Sequence, residues 1–175
     1  VSFAAVLVGV LRHALAIAVL PFTMAVLVPV WLARREDVRL TLATSASGLL
    51  LQVCGLVLLA LGLVLFVASL RRFAVEGRGT LAPWDPPREL VVRGPYRYVR
   101  NPMISGVLLV LVGEALVLRS QPHLGWAAIF FAINATYIPL LEEPGLESRF
   151  GEPYREYCRH VPRLLPRLRP WRPTS

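Results

Sequence analysis

From Gly48 to Leu70 the chain carries no charged side chain. A helix of that length, rising 1.5 Å per residue, crosses a hydrocarbon core of about 30 Å. Hydrocarbon offers the backbone no hydrogen-bond partner, so a run of this kind is stable there only as a helix or in a closed barrel, and its lack of alternation selects the helix. Three more apolar blocks obey the same rule: Ala14–Leu32, where Pro21 and Pro29 are predicted to kink the span, Met103–Leu118 and Leu124–Leu141. The last two are separated only by Arg119, Ser120, Gln121, Pro122 and His123 and read as a helical hairpin. A hydrophobic share of 55% and a mean hydropathy of +0.57 lie above the range of soluble domains. The fold class is therefore all-α, a polytopic transmembrane helical protein with four spans, or five if Ser2–Arg12 adds a half-span. It reads as one integral membrane domain over residues 1–175, with N-terminal spans in 1–70 and the chemistry in 71–175.

All 19 basic residues are arginine, and they lie between the apolar blocks and in the last part of the chain. Arginines so placed anchor helix ends and meet anionic headgroups, so nucleic acid is not an expected partner. The insertion at 71–102 carries Arg71, Arg72, Arg78, Arg88, Arg93, Arg97 and Arg100 against Glu76, Asp85 and Glu89, which predicts a cytoplasmic segment, as in a bacterial inner membrane. Its prolines predict loop and short turns. The hairpin returns the chain to the same side, so the tail from Glu142 onward meets that insertion in the cytoplasm. Arg34, Arg35 and Arg39 then lie outside, against the rule. Arg12 and His13 interrupt the first apolar run and no small-residue cleavage site comes after it, so the start reads as part of a span. Cys54 and Cys158 predict no disulfide, and His13, His123 and His160 have no ligand spacing, so no metal is expected.

Two polar clusters sit at the ends of apolar blocks. The first is Gly94-Pro95-Tyr96-Arg97-Tyr98-Val99-Arg100-Asn101-Pro102, with Ser105 and Gly106 just beyond it; the second is Glu142-Glu143-Pro144-Gly145-Leu146, followed by Phe150-Gly151, Tyr154, Tyr157 and Val161-Pro162. Paired carboxylates opposite arginines suit a zwitterionic or cationic ligand, and tyrosines supply an aromatic wall. Acidic residues at a helix C-terminus oppose the macrodipole, a misfit that favours function for Glu142 and Glu143. Arg93 and Arg97 read as interfacial anchors. Glu114 reads as a pair with Arg119 or a snorkelling side chain, and Asn134 as an interhelical hydrogen bond. Leu146, Phe150, Tyr154, Tyr157 and Val161 recur at helical spacing, predicting a packed segment broken near Gly151 and Pro153.

These clusters resemble the motifs of the isoprenylcysteine carboxyl methyltransferase and phospholipid methyltransferase family: Gly94–Pro102 with Met103 and Gly106 looks like its Arg-His-Pro-x-Tyr-x-Gly motif, and Glu142–Leu146 with Phe150–Pro162 like its Glu-Glu tail. The usual histidine is Asn101 here and the usual tyrosine Ile104, which argues against an imidazole base at that position. The resemblance covers about residues 77 to 166. It implies an S-adenosylmethionine-dependent methyltransferase whose cytoplasmic tail folds over the cofactor. Cofactor-binding candidates are Tyr98, Arg100, Asn101, Pro102, Gly106, Glu142, Glu143 and Tyr154, with Arg100 and Glu143 as catalytic candidates. The implied partners are the bilayer and a lipophilic methyl acceptor, a carboxylate such as isoprenylcysteine. Gly77-Arg78-Gly79 reads as a turn. The alternatives are a phospholipid amine N-methyltransferase, a sterol-reductase-like enzyme using a nicotinamide cofactor on Arg163, Arg167, Arg169 and Arg172, and a non-catalytic lipid-binding protein.

Overall fold

The computed structural model of the chain describes residues 18–76 and 89–172. Ser2–Arg12, the start of the first apolar block, and Gly77-Arg78-Gly79 lie outside them. Among the described residues the regular structure is helical throughout. A π-helical stretch, Ala18–Leu27, runs into α1 (Val28–Arg35); α2 is Ala46–Glu76, α3 Pro102–Leu118 and α4 Gln121–Tyr137. A π turn, Ile138–Glu142, leads from α4 into α5 (Glu143–Phe150), and α6 (Glu152–His160) comes next. Two of these stretches are long and apolar enough to cross a membrane, Ala46–Phe73 and Gln121–Phe150, and Pro102–Leu118 is a shorter apolar helix. Helix α2 outlasts its apolar block by one and a half turns: Arg71 and Arg72 are helical, and Arg72 pairs with Glu76 one turn on at 3.0 Å, so this part of the expected loop is helix.

Helix α2 is inside-out by the standards of a soluble protein. Its buried positions are Gly48, Gln52, Gly55, Gly62 and Ser69, all small or polar, while Leu50, Val53, Leu56, Val57, Leu61 and Val64 are exposed. That pattern fits a helix surrounded by lipid, which packs on its neighbour through small residues and leaves its large apolar ones to hydrocarbon. The neighbour is α3, antiparallel to it. A Cβ on Gly55 would lie 2.8 Å from the Gly113 carbonyl oxygen, and one on Gly62 would lie 2.6 Å from that of Gly106. Two glycine pairs, seven residues apart on each helix, thus set the approach of the two backbones.

Gln52 closes one end of this pair. Its amide donates to the Thr41 carbonyl at 2.7 Å and the Val117 carbonyl at 3.0 Å, and its oxygen accepts from the Ala43 N–H at 3.0 Å. Arg119, in the left-handed turn between α3 and α4, donates to Thr41 Oγ1 at 3.0 Å. It is thus not the partner expected for Glu114, whose Oε2 has no hydrogen bond among the described residues. Asn134 bonds the Phe130 carbonyl of its own helix at 2.8 Å, not a neighbouring helix.

The first apolar block packs on α3 and α4 around Val107, Leu111, Ala127 and Phe130. Pro29 explains one contact: it brings no N–H to the Met24 carbonyl five residues back in the π register, and the Trp126 indole donates to that oxygen at 3.0 Å instead. His123 is held between Ser120 Oγ at 2.8 Å and the Pro29 carbonyl at 3.1 Å.

If the glycine seam sets the helix approach, Gly62→Ala and Gly113→Ala should each destabilise the detergent-solubilised protein by about 1–3 kcal/mol through overpacking. Gly125→Ala, where an added Cβ meets nothing within 4 Å, should be neutral or slightly stabilising. Thermal unfolding of the three variants checks this.

Candidate functional site

The antiparallel seam brings the C-terminal end of α2, the N-terminal end of α3 and the C-terminal end of α4 together. Chain 94–101 enters there as a short 3-10 turn, Gly94–Arg97, followed by the residues that open α3 with Pro102 at its first position. The helix does not stop at Leu141. It passes through the π turn, whose extra residue rotates the next helical segment by roughly 100° relative to α-helical register, and resumes as α5. The expected clash of Glu142 and Glu143 with a helix C-terminus is therefore not present: Glu143 lies in the first turn of α5.

Glu143 is the centre of the cluster. Its carboxylate accepts a two-point contact from Arg163, Nε at 2.8 Å and Nη2 at 2.7 Å, and is reached by Arg100 Nη1 at 2.9 Å. The Arg100 and Glu143 side chains are only 11% and 17% exposed, so this is a mostly buried charge network. Arg100 Nη1 also lies 2.6 Å from Cys158 Sγ on α6. Glu142, in contrast, has no ion pair or hydrogen bond among the described residues, although it too is partly buried.

The tail after α6 is a strap without regular secondary structure, and it is fastened to chain 97–105 mainly through backbone atoms. The Arg100 N–H donates to the Pro162 carbonyl at 2.8 Å, and the Asn101 N–H and side-chain amide both donate to the Arg163 carbonyl, at 3.2 and 3.3 Å. Ser105 Oγ donates to the Leu164 carbonyl at 2.9 Å, and the Arg167 N–H to that of Tyr98 at 3.0 Å. The Trp171 N–H donates to the Arg97 carbonyl at 2.9 Å while Arg97 Nε donates to the Trp171 carbonyl at 2.6 Å. Arg97, expected as a lipid anchor, is thus a latch for the tail.

Under the strap, Tyr154, Tyr157 and Val161 form a second buried cluster with Leu146, Phe150 and Trp171, the segment the helical spacing predicted. It is broken at Gly151, whose φ of 59° is a left-handed conformation that glycine adopts without strain. His160 stacks on Trp171 at 5.3 Å. The Tyr157 hydroxyl donates to the Tyr96 carbonyl at 2.6 Å, and Tyr96 is itself buried with its own hydroxyl unpartnered. Burial pushes the Tyr96, Tyr154 and Tyr157 phenols well above their usual range, and at Tyr96 the charges of Tyr157 and Glu142 add to the effect.

The predicted residues divide accordingly. Arg100 and Glu143 meet directly, Tyr154 lies within electrostatic reach of both, and Asn101 is tied to the same cluster through Arg163. Pro102 is buried at the head of α3, and Tyr98 contributes its carbonyl to the strap while its side chain is exposed. Gly106 faces Gly62 and Phe66 of α2, where it serves packing. Sequence reasoning missed Tyr96, Arg163 as the partner of Glu143, and Cys158 beside Arg100. Nothing local signals those contacts, because 20 and 58 residues separate the last two pairs.

An apolar helical bundle with a buried arginine–glutamate network closed by the C-terminal strap is the frame in which the comparisons with known proteins fall. The phospholipid methyltransferase family matches residues 50–153, more than half of the chain and both ends of the Arg100–Glu143 pair. The chain belongs to that family. It is 34% identical over 79 residues to protein-S-isoprenylcysteine O-methyltransferase B of Arabidopsis thaliana, across 45% of this chain and 40% of that protein. It is 37% identical over 78 residues to methanethiol S-methyltransferase of Pseudomonas deceptionensis, across 42% of this chain and 27% of that one. The matches thus span less than half of either relative. No solved structure matches the chain.

Glu143→Gln should release both arginines. Leaving Arg100 buried without its carboxylate is expected to cost about 3 kcal/mol, read as a lower unfolding temperature, and the strap should become cleavable by trypsin after Arg163 while the same bond in the parent protein resists.

Proposed function

We propose that the chain is an integral membrane methyltransferase that takes its methyl group from S-adenosylmethionine and delivers it to a lipidic or membrane-associated acceptor. The observation that carries this reading is the asymmetry of the two glutamates. Glu143 is already compensated by Arg100 and Arg163, whereas Glu142 is partly buried with no cation of its own among the described residues. Burial, helped by the neighbouring Glu143 charge, pushes the Glu142 carboxyl above the usual carboxylate range, and a ligand that supplies a cation would hold it ionised. The residues fit S-adenosylmethionine: Glu142 would hold the ammonium, and Arg100, whose buried Nε has no partner, has a donor left for the carboxylate. Asn101 and Pro102 frame the opening of α3, and the Tyr154–Tyr157 cluster offers an apolar wall.

Bound S-adenosylmethionine supplies an electrophilic methyl on a sulfonium. This chain's residues contribute binding, alignment and exclusion of water by the strap. The phenols around the site stay protonated at neutral pH because burial raises them, so they are poor bases. An acceptor that arrives already ionised needs none. This favours a carboxylate such as isoprenylcysteine, or a thiolate, over an ammonium headgroup, in keeping with the names of the two relatives. The tail arginines do not converge as a nicotinamide phosphate would need: Arg163 is bound to Glu143, and Arg167 donates to the His160 carbonyl at 2.6 Å.

In this reading the chain has four spans, the site end faces the cytoplasm, and the acceptor enters sideways from lipid. Among the described residues, the site end carries Arg71, Arg72, Arg93, Arg97 and most of the tail arginines, while Arg34, Arg35, Arg39 and Arg119 belong to the other end.

Calorimetry on the detergent-purified protein should find saturable binding of S-adenosylmethionine and S-adenosylhomocysteine. Glu142→Gln, which leaves the Glu143 network intact, should weaken both by about thirtyfold or more, the cost of losing one side of a buried charge contact. A folded parent protein that binds neither ligand would sink the reading; labelled methyl transfer to a prenylcysteine but not to phosphatidylethanolamine would fix the acceptor class.

A further inference from the structure

Among the described residues three buried side-chain atoms have no hydrogen-bond partner: Tyr96 Oη, Arg100 Nε and Glu114 Oε2. The first stands apart, because the residue is 7% exposed and nothing in its packing calls for a hydroxyl. Phenylalanine would fill the same space and would not bury an unsatisfied polar group, which weakens a fold. The backbone of Tyr96 has its own structural work, since its carbonyl receives the Tyr157 hydroxyl at 2.6 Å, and that bond would survive loss of the Tyr96 ring oxygen. Among the described residues the Tyr96 hydroxyl therefore has no structural task.

Its surroundings point to a use. Tyr96 sits in the 3-10 turn Gly94–Arg97 and Glu142 in the π turn Ile138–Glu142, two irregular pieces of helix from distant parts of the sequence. The Glu142 carboxylate is close enough for its charge to act on the Tyr96 phenol, and no cation or donor among the described residues bonds that carboxylate. A buried, unpartnered hydroxyl and a partly buried carboxylate with no bonded cation among the described residues together match a small cation that carries several hydrogens, as a primary ammonium does.

We propose that Tyr96 is a ligand-binding residue whose hydroxyl accepts a hydrogen bond from the ligand's ammonium group while Glu142 opposes its charge, so that the pair selects cofactors bearing a free amino group. This rests on the cofactor reading above and adds to it a residue and a selectivity. It separates the glutamates by task, Glu143 holding the strap and Glu142 serving the ligand.

The test compares S-adenosylhomocysteine with 5′-methylthioadenosine, which keeps the adenosine and thioether and lacks the amino-acid part. Calorimetry with Tyr96→Phe should show S-adenosylhomocysteine bound about tenfold more weakly, the loss of one hydrogen bond to a charged group. Binding of 5′-methylthioadenosine should be unchanged, and the unfolding temperature of the ligand-free variant equal to or above the parent's. Unaltered S-adenosylhomocysteine affinity overturns the proposal, and so does an equal loss for both ligands, which would mark a packing role. A lower unfolding temperature without ligand also overturns it, because the hydroxyl would then have a partner inside the protein. A parent protein that binds neither ligand removes the cofactor reading itself, and this inference with it, an outcome distinct from selective failure at Tyr96.

Discussion

One carboxylate holds the functional half of this molecule together. Glu143 accepts from Arg163 at two points and from Arg100 at a third, and these three residues come from the start of α5, the strap and the approach to α3. The pairing is closed again through backbone, since Asn101, next to Arg100, takes the Arg163 carbonyl with both its N–H groups. A ring of this kind, Arg100–Glu143–Arg163–Asn101, satisfies a buried charge from several sides, the condition under which burying it is tolerable at all. The ring itself is not balanced: two arginines meet one carboxylate, Glu143, and Glu142 bonds neither of them among the described residues.

The ring forms only because the helices deliver its members to one end of the bundle. Helix α2 does that with glycine. Gly55 against Gly113 and Gly62 against Gly106 let two backbones come closer than any side chain would permit, and with antiparallel chains this fixes which end of α3 lies beside which end of α2. Hydrocarbon gives large apolar side chains no reason to seek each other, so the selectivity of the contact comes from the small residues that allow close packing and from polar atoms such as those of Gln52 that need partners. Gly106 belongs to this framework, which is why a motif position adjacent to the site serves packing.

Features governed by periodicity and hydrophobicity were legible in the sequence. The apolar helices, the α3–α4 hairpin, the break at Gly151 and the proline-rich strap all arise from local rules, and the structure has them. Arg100, Glu143 and Tyr154 were recognisable as a chemical set from two motifs. The illegible features depend on contact between distant segments or on a change of helix register. The π turn before Glu143 could not be read from a 3.6-residue pattern, and it overturned the argument from the helix terminus. Arg97 read as an interfacial anchor, Arg119 as a partner for Glu114 and Arg163 as part of an alternative nicotinamide site; their partners, Trp171, Thr41 and Glu143, are fixed only by the tertiary fold. Tyr96 was hidden for another reason. A tyrosine among tyrosines gives no sign in the sequence that burial will leave its hydroxyl without a partner among the described residues.

The strap gives the proposed chemistry its setting. Transfer of a methyl from a sulfonium to an anionic acceptor neutralises two charges, so a site that excludes water favours the transition state over the separated ions. On the proposed reading the strap would serve to keep water out. The strap is stitched to chain 97–105 through carbonyls and N–H groups, bonds that hold regardless of side-chain identity, and among the described residues Arg97, Asn101 and Ser105 add side-chain hydrogen bonds to it. The Glu143 carboxylate adds a charged fastening of the strap, through Arg163. On the proposed reading that point neighbours the glutamate that would receive the ligand. A charge entering beside Glu142 would then act on Glu143, the carboxylate to which Arg163 of the strap is bound.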